Sequence, residues 1–187
     1  MKYQSIIITV CIALISYGAA AQKKQVKKTS IPAITAHPQE DAFAVAVLKA
    51  LQQNDTAAWI SLYPTNDEYK GILQAGLAAK AEGLTQQVID DILVRRKKEA
   101  AAVYASQFSQ YLAQADSLHI YWENVVFEKF EFQEVYPEPV KLKYLGGNIR
   151  FSCKQQHFLM EGIQAVSIAS GYKLQSLAGL RVAEDGE

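Results

Sequence analysis

The apolar residues change their spacing near residue 118. Upstream they recur at three- and four-residue intervals, as in Phe43, Val47, Ala50 and Leu51; downstream they alternate, as in Ile149, Phe151 and Cys153. The first period belongs to an amphipathic helix, the second to a half-buried strand. A chain with its helical pattern first and its hairpins after cannot build alternating βαβ units. It calls for an α+β architecture, with helices covering one face of an antiparallel sheet.

Local signals divide the helical half. The first helix runs from Asp41 to Gln53, and Asn54-Asp55 breaks it. Asp55 reads as the N-cap of a short helix bearing Trp59, Ile60 and Leu62, stopped by Pro64. Thr65 and Glu68 form a capping box opening a helix with Tyr69, Ile72, Leu73 and Leu77. After the turn at Glu82-Gly83-Leu84, Thr85 caps the longest helix, from Gln86 to Ala115. The second half predicts about four strands. A long one covers 119–135, with Val126, Phe130 and Phe132 on one parity and Lys129, Glu131 and Gln133 on the other. Pro137 and Pro139 mark a loop, and Gly146-Gly147-Asn148 reads as a turn. Strands follow at 149–153 and 157–168, joined by a tight turn at Lys154-Gln155-Gln156, and a last strand at 172–182 carries a bulge at Gly179.

The N-terminus reads as an export signal. Lys2 precedes an apolar run from Ser5 to Ser16, and Ala19-Ala20-Ala21 supplies the small residues that place cleavage before Gln22. The run falls short of the roughly 20 residues that span a bilayer. Residues 1–21 are thus expected to be removed, leaving a periplasmic or secreted protein without an integral membrane span. Cys11 leaves with them, so Cys153 is the only thiol and no internal disulfide can form. Residues 22–40 form a basic linker with Lys23, Lys24, Lys27 and Lys28; residues 41–182 form one domain; residues 183–187 are an acidic tail. From Asp41 onward there are 14 Lys/Arg against 18 Asp/Glu, a net of −4. That balance does not suit a nucleic-acid partner.

No catalytic or cofactor motif stands out. His37, His119 and His157 sit at no metal-ligand spacing, and there is neither a phosphate-binding glycine loop nor a nucleophile elbow, so no metal and no cofactor is expected. The order of elements, with Trp59–Tyr63 between two helices and strands ending in Tyr172-Lys173-Leu174 and Leu180-Arg181-Val182, resembles the NTF2-like (cystatin-like, SnoaL-like) superfold, in which a curved sheet wraps a long helix as a cone. The make-up of the chain also resembles small secreted proteins of the Bacteroidota. Asp55-Thr56-Ala57 and Asp116-Ser117-Leu118 match the short O-glycosylation pattern of that group.

Three expectations follow. The first is a non-enzymatic binding or accessory module, engaging a protein partner or a small apolar ligand in an aromatic pocket lined by Trp59, Tyr63, Trp122 and Tyr172. The second comes from the resemblance, since some NTF2-like enzymes run acid–base chemistry inside the cone. His157 and Glu161 share a parity and are the catalytic candidates if that parity faces inward. The third is a homodimer pairing through the exposed side of the sheet.

Overall fold

The first helix starts earlier than its apolar period suggests. The computed structural model describes residues 37–137, 140 and 142–184, and in it α1 spans Pro38–Gln52. Its first turn therefore lies inside the segment read as linker. Pro38 suits the first helical position, where its missing N–H would have no partner. Glu40 is drawn inward instead of facing water, and α1 buries Phe43, Ala44, Val47, Leu48 and Leu51 on the same side. The signal segment, the rest of the linker and the end of the tail lie outside the described residues.

The expected caps are all present. Asp55 Oδ1 accepts the Ala58 N–H at 2.9 Å and opens α2 (Thr56–Ser61). Glu68 N–H donates to Thr65 Oγ1 at 3.2 Å while Thr65 N–H donates to Glu68 Oε2 at 2.7 Å, closing the capping box of α3 (Asn66–Ala78). Thr85 Oγ1 accepts from Val88 N–H at 3.3 Å and opens α4 (Gln86–Ser117). Three helices stop by one device. Asn54, Lys80 and His119 adopt positive φ, and the next residue donates its N–H back five positions, to the carbonyls of Ala50, Gly76 and Ala115 respectively. His119 thus ends α4 and does not begin a strand. A single 3₁₀ turn, Trp122–Asn124, follows before β1 (Val125–Val135).

The remaining strands are β2 (Tyr144–Cys153), β3 (Gln156–Ile168), β4 (Gly171–Ser176) and β5 (Gly179–Val182). All pairings are antiparallel, in the order β1-β2-β3-β4, with β5 also pairing β3, and the sheet does not close. The predicted last strand divides at Leu177-Ala178, so that β4 covers the end of β3 and β5 covers its beginning. Gly146-Gly147 is not a turn but lies within β2, opposite Gln133 and Phe132. A Cβ at Gly147 would stand 2.1 Å from the Glu131 carbonyl oxygen, so only glycine lets the two strands approach there.

Bulges decide which side chains face the helices. A shift between Phe127 and Lys129 leaves Glu128 as the extra residue of β1, and turns Val126 to the outer face, away from Phe130. Gly162, at φ +64°, is the matching irregularity of β3; its N–H donates to Asn148 Oδ1 at 3.1 Å. The inner face then carries Phe130, Ile149, Phe151, Phe158, Met160, Ile163, Ala165 and Leu174 against α1, α2 and the C-terminal third of α4. The N-terminal third of α4 belongs to a satellite core with α3, built on Leu73, Leu84 and Ile89. Arg96 bridges the two regions. Its guanidinium lies 4.3 Å from the Tyr69 ring centre and donates to Pro64 O and Tyr104 Oη. Among the described residues no helix is long and apolar enough to cross a membrane.

Candidate functional site

The four aromatic residues expected to line a pocket do not converge. Trp59 is fully buried among Tyr63, Phe108 and Tyr111, and its Nε1 donates to the Tyr104 carbonyl at 3.1 Å. Tyr63 stacks on Tyr104 with ring centres 3.7 Å apart and bonds Gln107 Oε1 at 3.1 Å. Burial pushes its phenol well above the ordinary tyrosine range. Both side chains are packing residues between α2 and α4. Trp122 stacks on Phe151 near the start of β3, with Nε1 buried and unpaired. Tyr172 lies at the other end of β3, opposite Ser167.

Around Tyr172 the structure assembles the densest group of ionisable residues on the inner face. Its hydroxyl donates to Glu40 Oε1 at 2.6 Å, and Lys143 Nζ lies 3.0 Å from the same oxygen and 5.4 Å from the Tyr172 ring centre. Lys143 also pairs with Glu134, whose other oxygen accepts from the Tyr136 hydroxyl at 3.0 Å. Burial works to raise the Glu40 pKa, but the hydrogen bonds from Tyr172 and Lys143 outweigh it and hold the carboxyl below the usual range. Burial, then the bond to Glu40, pushes Tyr172 up. The bond to Glu134, followed by that to Tyr172, pushes Lys143 up. Each group is thereby fixed further into the state it already holds at neutral pH: carboxylate, phenol, ammonium. A general acid or base works best with a pKa near the working pH, and these are moved away from it. The arrangement joins the first turn of α1 to the ends of β1, β2 and β4.

His157 and Glu161 both lie on the outer face and have different partners. His157 Nδ1 is 2.7 Å from Glu128 Oε1, and its side chain is half exposed. Glu161 Oε1 accepts from Arg181 Nε at 2.6 Å. The partner of His157 is the bulge residue of β1. Glu128 also takes Arg150 Nε at 3.1 Å and a bond from the Ser152 hydroxyl. Burial raises its pKa, but the bonds from Ser152, His157 and Arg150 prevail and hold it low. Glu, His and Ser thus meet across three strands, with Ser152 directly opposite His157 in register. The wiring is not that of a nucleophilic triad, because the His157 imidazole pairs with Glu128 and, among the described residues, no hydrogen bond joins it to the Ser152 hydroxyl. Sequence spacing linked His157 to Glu161 and missed Glu128. The visible signal was Phe127-Glu128-Lys129-Phe130, where two charged residues in succession break the alternation and announce the bulge.

A shallow groove of about 620 Å³ follows the exposed middle of α4, along Lys98, Ala102, Val103, Ser106 and Gln110. Cys153 is buried, with its thiol 3.5 Å from the Tyr121 carbonyl oxygen. Among the described residues, no three His, Cys, Asp or Glu side chains come together as a metal site would require. No family model, curated protein or solved structure matches this chain.

Proposed function

We propose that the chain is an exported, non-enzymatic binding module whose partner is another protein. The observation that carries this is the filled inner face of the sheet. Trp59, Phe151, Met160 and Ile163, where a cone-shaped fold of the NTF2-like kind would keep its cavity, have no exposed surface. We read the element order as NTF2-like with its cavity closed by side chains. The ionisable groups nearest that face, Glu40, Lys143 and Tyr172, neutralise one another and have pKa values displaced from neutrality, which suits a structural latch better than proton transfer. Recognition then falls to the outside of the molecule, and export rests on the apolar leader that ends at Ala21.

The test is to express the full chain with a C-terminal tag in a bacterial host, fractionate the cells, and weigh the product under native conditions. The expected species is outside the cytoplasm, begins at Gln22 and carries no small molecule. Full-length protein confined to the cytoplasm overturns export. A stoichiometric apolar ligand overturns the protein-partner assignment in favour of a small-molecule pocket.

A further inference from the structure

The two edges of the sheet are treated differently. Along β4 and β5 the helices take up main-chain groups: Leu174 N–H donates to the Leu62 carbonyl at 2.8 Å, and the Tyr111 hydroxyl donates to the Leu177 carbonyl at 2.7 Å. The Gln114 amide then meets both main-chain groups of Leu180, at 3.0 and 3.1 Å, as a neighbouring strand would. Along the eleven residues of β1, one helix side chain does the same among the described residues, Gln52 to the Val125 carbonyl at 2.8 Å. An open strand edge is a row of donors and acceptors available to a further strand.

Exposed apolar side chains gather at this edge. Of the seven exposed large hydrophobic residues among those described, Tyr121, Val126, Val135 and Tyr136 lie on β1 or beside it, with Val126 61% exposed and Tyr136 58%. A strand edge blunted only against aggregation would carry charges at those places. Of the four charged residues of β1, Glu128 is held by Arg150 and His157 and Glu134 by Lys143, while Lys129 and Glu131 face outward two residues apart and have opposite signs.

We propose that β1 pairs antiparallel with β1 of a second copy, about a two-fold axis at Phe130. In this register Lys129 of each copy stands opposite the partner's Glu131, giving two favourable cross-strand pairs. The neighbouring two-fold registers are disfavoured by the same charges. An axis at Lys129 sets lysine against lysine, and an axis at Glu131 sets glutamate against glutamate. The bulge at Glu128 confines the ladder to the strand's central part. This association does not depend on export or on the protein partner proposed above.

Sedimentation of the purified protein at micromolar concentration tests it, with Lys129→Glu and Glu131→Lys as variants and circular dichroism to confirm that each is folded. The wild type is expected to be dimeric. Each variant alone should dissociate about tenfold more readily, because like charges now oppose across the axis. An equimolar mixture of the two should recover the dimer, since every substituted position then faces the opposite charge; loss of the Lys129–Glu131 pair within one chain cannot produce that recovery. A monomeric wild type, a dimer indifferent to both substitutions, or a mixture that fails to recover overturns the proposal.

Discussion

Glu40 and Tyr172 are 132 residues apart and share one hydrogen bond across the open end of the fold. Tyr172→Phe removes that donor and leaves the buried carboxylate to Lys143 alone. The expected cost is about 1–2 kcal/mol at neutral pH, measured by urea denaturation. The pH dependence has a definite sign. A carboxyl held low in the folded state contributes stability above its unfolded pKa and loses it as pH falls through the folded value. The wild-type advantage over Tyr172→Phe should therefore shrink below about pH 4. Equal stability at neutral pH would show that the bond contributes nothing. At this scale, what the sequence reveals depends on separation along the chain. The caps Asp55, Thr65 with Glu68, and Thr85 were readable because each partner lies three residues away. Glu40 and Glu128 were not, because their partners lie 103 and 29 residues away.

The helix ends invite a test on whole elements. Lys80 is exposed and holds a positive φ of 57° at the end of α3, a conformation in which a Cβ is strained. Lys80→Gly should stabilise the protein by about 0.5–1 kcal/mol, read as a rise in melting temperature. A fall would mean that the lysine side chain makes a contribution exceeding the backbone strain. Helices were readable to within a few residues because their period and caps agree. Strands fared less well, and the reasons are specific. Gly146-Gly147 has the composition of a turn, yet glycine is there to let β1 and β2 approach. Val126 was assigned to the wrong face because one extra residue, Glu128, inverts every parity before it. The pairing of His157 with Glu161 followed from correct alternation, but alternation alone does not tell which face is inner.

For the whole molecule, the two cores imply unequal local stability. The satellite built on Leu73, Leu84 and Ile89 is small and is tied to the main body through α4 and the Arg96 bridge. Amide hydrogen exchange in α3 should be faster than in β2 and β3, whose pairing crosses the main core. Uniform protection across both regions would show instead that they open as one unit. The α+β arrangement itself was readable, since helices precede strands and neither period recurs in the other half. Where the chain would be filled, sealed or left open was not, because those properties belong to side chains meeting from distant segments. The Gln114 amide on Leu180 is such a case, and it has a consequence for growth. A sheet with two free edges can add copies without limit and form a fibre. With one edge capped, joining two copies through β1 consumes the free edge of both, so assembly stops at two and the product is closed.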